Sequence, residues 1–393
     1  MIDRPHVLAR IRESFSVHPA VVIEGPRQCG KTTLARAIAA TVTEVTFFDL
    51  ESPTDLQKLA TPEQTLRSLR GLVVIDEAQR LPELFPVLRV LLDRPESPAR
   101  FLLTGSASPE LIRGLSESLA GRVGIVDLAG FHLGETGSDS VRALWARGGF
   151  PRSFLAADDQ ASLVWRLDFV RTFLERDMPQ LGITVPAATL RRFWTMIAHY
   201  HGQTWNAAEF ARSLGADEKT ARRYLDILAG AFMVRVLPPW FENLSKRQVK
   251  APKLYVRDTG LLHALHGITS FEDLQGHPKL GASWEGFAIE QLIALLDTRD
   301  TYYWATHAGA ELDFMTVCKG KRYGFEIKYS DAPGATKSMH TAIADLGLAQ
   351  LWVIYPGQAR YVLTDKITAL PAHEIPSLIA GLKAGTEPRL PSS

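Results

Sequence analysis

The run Gly25-Pro26-Arg27-Gln28-Cys29-Gly30-Lys31-Thr32 fits G-x-x-x-x-G-K-[ST], and Thr33 leads into the helical pattern Leu34–Ala40 behind it. In front stands a continuous apolar run, Ala20-Val21-Val22-Ile23. Strand, glycine loop and helix are the context in which this motif holds phosphate. Glycines let the backbone N–H groups wrap the anion, and the helix N-terminus adds a favourable dipole. Residues Gly25 to Thr33 are therefore the candidate nucleotide contacts, with Lys31 reaching the β- and γ-phosphates and Thr32 ligating Mg2+. A chance match in a surface loop would lack the flanking strand and helix.

Further apolar runs follow at Val45–Phe48, Leu72–Ile75, Phe101–Leu103 and Val123–Val126, with helical stretches between them. Runs without alternation suit parallel strands covered on both faces, so residues 1–135 read as a doubly wound α/β unit. The third run ends in Asp76-Glu77. At the C-terminal edge of a parallel sheet, Asp76 can hold the Mg2+ shell and Glu77 can polarise a water. The fourth ends in Thr104-Gly105-Ser106, where a hydroxyl can read the γ-phosphate.

Together these elements resemble the AAA+ superfamily of ATPases: a Walker A loop, a Walker B strand with its glutamate, and a polar sensor. The wording around GPRQxGKTT, DEAQ and TGS is similar to a bacterial and archaeal subgroup pairing this core with a C-terminal domain of uncertain role. The resemblance implies ATP and Mg2+ as cofactors, Glu77 as base and Thr104, or else Ser106, as sensor. It also places Arg122 where relatives offer an arginine to a neighbouring subunit, which implies a homo-oligomer such as a ring. The alternative for Arg122 is a salt bridge within its own chain. Gly149-Phe150-Pro151 resembles a nucleotide-sensing lid element, or is a plain turn. Cys29, at a helix N-terminus that lowers thiol pKa, is a candidate redox switch or simply a small side chain.

Composition sets the class. Forty-four basic against 43 acidic side chains among 393 residues leave a net charge of +1, which excludes a basic nucleic-acid coat and an acidic tail. Two cysteines make neither a disulfide framework nor a cysteine-rich zinc site. No apolar run reaches ~18 residues, so a cytoplasmic protein without a membrane span is expected. Residues 136–187 read as a helical lid, 188–258 as a winged-helix-like region, 259–383 as a further α/β domain and 384–393 as a frayed tail.

In 188–258, Asn206–Ser213, a glycine turn and Asp217–Ala229 form a helix-turn-helix pattern. Ala221, Tyr224, Leu225 and Leu228 share one face of the second helix, leaving Lys219, Arg222 and Arg223 outside. Lys246, Arg247 and Lys250, with Lys253 and Arg257, form a basic stretch beyond it. That pattern suits the DNA backbone, or a protein-interaction module with solvated charges.

In the last domain, alternation puts Glu311 and Asp313 on one strand face and Leu312 and Phe314 on the other. Glu326 and Lys328 share a face of the next strand, across a turn at Lys319-Gly320-Lys321. Glu285 lies on an apolar helix stripe with Ile289, Leu292 and Leu296, where a carboxylate needs a partner or a metal. This set resembles the PD-(D/E)XK nuclease superfamily. The resemblance implies Glu285, Asp313 and Glu326 as Mg2+ ligands with Lys328 beside them, although Leu312 replaces the usual proline. Cleavage or binding without cleavage both fit, as does a buried salt-bridge network. His199, His201, His263 and His266 lack companion ligands at useful spacing. The expected function is an ATPase acting on branched or broken DNA; the alternative is a nucleotide-gated switch facing a protein partner.

Overall fold

A computed structural model describes residues 2–94, 99–106, 117–241, 248–298 and 300–386. They fall into two compact units: residues 1–130 with 230–232, and the remainder.

The five apolar runs of the first unit become strands β1 (Ala20–Gly25), β2 (Val45–Asp49), β3 (Gly71–Asp76), β4 (Ala99–Ser106) and β5 (Val123–Asp127). All pair in parallel, in the order β2-β3-β4-β1-β5. Crossover helices cover both faces, so Val21, Val22, Val73, Val74, Leu102 and Leu103 are fully buried. Parallel pairing brings every strand's C-terminal end to one sheet edge. The register sets Gly25 beside Ser106 and Asp49 beside Asp76 there.

The second unit opens with short helices, then Asp159–Thr172, which passes through a π turn at Phe173–Asp177. Helix Ala187–His199 buries Leu190, Phe193, Trp194 and Ile197. It is followed by β6 (Gln203–Thr204), helices Ala207–Leu214 and Glu218–Gly230, β7 (Val234–Leu237) and β8 (Lys253–Val256). The three strands form an antiparallel sheet in the order β6-β8-β7. Caps explain the helix boundaries. The Asn206 side chain accepts from the Glu209 N–H, left-handed Gly215 stops the first helix, and Asp217 accepts from the Thr220 N–H at 2.6 Å. Residues 136–187 were read as helical and β6 was not foreseen in the region that follows; it is two residues long, too short to leave a pattern.

Helix Leu280–Leu296 then leads into β9 (Thr301–Ala305), β10 (Glu311–Cys318) and β11 (Lys321–Ile327). After helix Lys337–Leu346 come β12 (Gln350–Tyr355), β13 (Tyr361–Thr364) and β14 (Ile367–Pro371), in the sheet order β13-β14-β12-β11-β10-β9. The expected hairpin is present. Lys319 (φ 48°) and Gly320 (φ 75°) both take positive φ, the two-residue turn whose twist matches the flanking strands. One expectation fails. The β9–β10 register shifts between Leu312 and Met315, and both side chains enter the same core cluster. A bulge there breaks the alternation that would have paired Leu312 with Phe314. The tail also starts later than read, because Ala384 closes helix Ile375–Ala384 and Gly385 caps it; residues 387–393 lie outside the described residues. Among the described residues, no helix is long and apolar enough to cross a membrane.

Candidate functional site

The loop after β1 is shaped by its backbone. Gln28 (φ 63°) and Gly30 (φ 101°) take left-handed conformations, and Gly30 precedes helix Lys31–Ala39. At Gly25 a Cβ would stand 2.0 Å from the Leu128 carbonyl oxygen, so only glycine fits. Lys31 is buried, and its ammonium donates to the carbonyls of Gly25 (3.0 Å) and Pro26 (2.8 Å). Cys29 is buried too, its Sγ 3.4 Å from the Leu128 oxygen. Burial pushes its thiol pKa up against the pull of Lys31 and Arg4, opposite to the lowering that a helix N-terminus alone would give.

The sequence reading missed Arg4. Its guanidinium donates to Ala129 (3.1 Å), Gly130 (2.9 Å) and Cys29 (3.4 Å) carbonyls, tying the loop to the chain beyond β5. A single arginine near the N-terminus carries no motif.

Beside the loop, Asp76 ends β3 and is 2% exposed. Burial raises its pKa, opposed by hydrogen bonds from the hydroxyls of Thr104 and Thr32. Thr104 also accepts from the Glu77 N–H at 3.3 Å. One hydroxyl therefore orients the Walker B aspartate and fixes the backbone of the next residue. Glu77 itself is left-handed (φ 57°), half-buried, and bonded to Gln79. The Thr32 hydroxyl against the Asp76 carboxylate is a hard-oxygen pair that suits Mg2+. Thr104, one of the two sensor candidates, makes these bonds, while the side chain of Ser106 lies outside the described residues.

Arg122 lies at the start of β5, so at the opposite sheet edge from the loop. It pairs with Asp93 through two bonds of 2.6 and 2.8 Å and donates to Ala120 at 3.1 Å. Within its own chain, the salt-bridge alternative describes it.

In the second unit, Lys219, Arg222 and Arg223 are exposed on helix Glu218–Gly230. Arg222 pairs with Glu218 at 3.7 Å, and Arg223 lies over the Tyr224 ring. Lys250 sits 5.0 Å from the Phe241 ring. Lys246 and Arg247 lie outside the described residues. Two further cations of that stretch are taken up by carboxylates of their own chain. Arg257 pairs with Glu290 at 3.4 Å, and Lys253 is buried among carboxylates.

Glu285, Asp313, Glu326 and Lys328 do come together. Asp313 Oδ2 accepts from the Ile327 N–H at 2.9 Å, and Lys328 Nζ meets Glu326 Oε1 at 2.7 Å. Glu326 Oε2 is buried without a hydrogen-bond partner. Burial, then the nearby Asp313 charge, pushes the Glu326 pKa up to about 8. Burial also lifts Glu285 to about 6, with Lys253 pulling it back. Glu311, placed by alternation on the face of Asp313, is in the cluster, whereas Lys253 and Tyr255 were not expected there. Lys253 Nζ lies 3.3 Å from Glu285 and 3.8 Å from Asp313 and also pairs with Glu311, while the Tyr255 hydroxyl donates to Glu285 at 2.6 Å. The missed signal was period two: Lys253 and Tyr255 share one face of a strand buried throughout. Among the described residues, no three acid, histidine or cysteine side chains close around one ion position.

The Gly148–Pro151 turn is bound into the second unit. Gly149 N–H donates to Asp258 Oδ2 at 2.7 Å, and a Cβ at Gly148 would collide with that carboxylate. The histidines were read as lacking companion metal ligands, and two of them, His199 and His266, pack ring to ring. His266 rings pack on His199 and His277, while burial lowers His201 and His263 to about 3 and His266 to about 4.

A family model described as an AAA domain matches residues 17–137, and two domains of unknown function, DUF8612 and DUF4143, match residues 138–272 and 280–375. The Walker-type ATPase PABY2304 of Pyrococcus abyssi shares the fold, with a TM-score of 0.50, 17% identity, and coverage of 68% of this chain and 96% of that one. The uncharacterized proteins Mb2031c of Mycobacterium bovis and Rv2008c of Mycobacterium tuberculosis are each 53% identical over 375 residues, 95% of this chain and 85% of theirs. The chain belongs to the family of these two mycobacterial proteins, and its N-terminal unit is an AAA-type P-loop ATPase domain.

Proposed function

We propose that this protein is an Mg2+-dependent ATPase that acts on DNA. The observation that carries the ATPase half is the hydroxyl bridge from Thr104 to Asp76 and Glu77, set beside Lys31 and Thr32. Lys31 neutralises the β- and γ-phosphates, and Glu77 orients the attacking water. Asp76 and Thr32 are the residues that would hold Mg2+, which would offset charge on the phosphoryl group. Arg122, released from Asp93, serves the γ-phosphate of a neighbouring copy, so the working state is a homo-oligomer.

Three features of the second unit support the DNA half. Helix, short strand, two helices and two strands, in the order described for 187–256, is the order of a winged helix, with Lys219, Arg222 and Arg223 on its exposed helix. Lys250, Lys246 and Arg247 lie between its last two strands. Helix, three antiparallel strands, helix and a parallel strand over 280–355 matches the PD-(D/E)XK core, with Asp313 and Glu326 at its acidic cluster. The orphaned Glu326 Oε2 fits a bound divalent cation, which there would polarise a phosphodiester. A second reading, a switch facing a protein, is favoured by the Arg222–Glu218 pairing, which ties up one of the helix cations.

The test is steady-state ATP turnover with single-stranded, duplex and four-way-junction DNA, with Lys31→Ala as the blank. Stimulation by one of these DNAs is the expected result. A slow rate indifferent to all three overturns the DNA half and leaves the protein-facing switch.

A further inference from the structure

The acidic cluster contains a cation that its own domain does not supply. Lys253 comes from β8, before the helix that opens the C-terminal fold, and its side chain is 6% exposed. Its ammonium stands among Glu285, Glu311 and Asp313, and Tyr255 from the same strand face anchors Glu285. Across the cluster, Glu326 keeps one buried oxygen without a partner. Glu326 follows Phe325 just as Asp313 precedes Phe314, and these two phenylalanines are paired across the hairpin, so the carboxylates are direct neighbours.

Charge arithmetic narrows what the cluster can hold. Once a cation displaces the proton from Glu326, the four carboxylates Glu285, Glu311, Asp313 and Glu326 stand against Lys253 and Lys328, leaving 4 − 2 = 2 negative. Uncompensated charge in a buried site is costly, and one divalent ion balances it where two would reverse it. Two carboxylates suffice for such an ion, because Mg2+ keeps several of its waters. We propose that the cluster takes a single divalent cation between Asp313 and Glu326, and that Lys253 fills the position a second ion would take. Lys253 is then a positioning residue that sets ion stoichiometry, and Glu285 and Glu311 are its partners rather than ligands. The inference rests on the nuclease-like reading of this site.

Mn2+ binding to the full chain tests it, measured by calorimetry and electron paramagnetic resonance without nucleotide. A Thr32→Ala background removes the P-loop ligand. The expected result is one ion, lost at least tenfold in affinity in Glu326→Gln and retained in Glu311→Gln. Lys253→Met is expected to admit a second ion. Two ions in the parent chain, or one ion unchanged in a folded Lys253→Met, overturn the role of Lys253 but leave the nuclease-like reading standing. No ion in the parent overturns both. Should Lys253→Met melt early, Glu311→Gln decides: loss as complete as in Glu326→Gln makes Glu311 a ligand and overturns the proposal.

Discussion

Thr104 does two jobs with one oxygen, donating to Asp76 and accepting from the backbone of Glu77. Thr104→Val keeps the shape and removes the hydroxyl. Hydrogen bonds to charged groups contribute ~1.5–3 kcal/mol, so turnover should fall roughly tenfold to a hundredfold while ATP affinity barely moves. A matching loss of affinity would assign Thr104 to ground-state binding instead. Glu326 makes a prediction in pH. Its folded-state pKa, about 8, lies above its ordinary 4.5, so the folded state prefers the proton. Stability from this group is present below 4.5 and is lost as pH rises through 8. With a chelator present, Glu326→Gln should therefore melt higher than the parent at pH 9, and that advantage should vanish at pH 5. An advantage equal at both values would mean the carboxyl titrates normally.

Among elements, helix Leu280–Leu296 depends on Gly286. A Cβ there would meet His201 Nε2 at 2.2 Å and Tyr255 at 3.4 Å. Gly286→Ala must displace a buried ring, at a cost of ~1–3 kcal/mol, readable as a lower denaturant midpoint. An unchanged midpoint would show that the ring has room to move. The elements also show what the sequence could reveal. All five core strands and the P-loop helix were legible, because parallel strands buried on both faces read as unbroken apolar runs. The Lys319-Gly320 hairpin was legible for a similar local reason. The Leu312–Met315 bulge was not, since one extra residue leaves no mark on a hydrophobic pattern. Nor were Arg4 and Lys253 legible as site residues. Arg4 acts on carbonyls 125 and 126 residues away, and Lys253, near Lys250 and Arg257 in the sequence, reads as part of a basic surface stretch.

For the whole molecule, three histidines held neutral by burial set an acid limit. His201, His263 and His266 sit at about 3, 3 and 4, below the ordinary 6.5. Their contribution to stability is whole above 6.5 and fades as pH falls toward those values, because the unfolded chain takes up protons that the folded one refuses. Melting temperature should drop steadily between pH 6.5 and 4, and hydrogen exchange should place the first opening at helices Ala187–His199 and Thr259–His266. First opening confined to residues 20–127 would contradict this. Arg4 has a different consequence, in time. It leaves the ribosome well before its carbonyl partners Ala129 and Gly130, which emerge some 125 residues later. At ~5–20 residues per second, the nascent chain spends on the order of ten seconds with that arginine exposed. Strand β1 also waits for both neighbours, β4 and β5, the last two strands of its sheet to be made. The ATPase domain therefore completes late, and a ribosome stalled before residue 130 displays a nucleotide loop with no clasp to hold it.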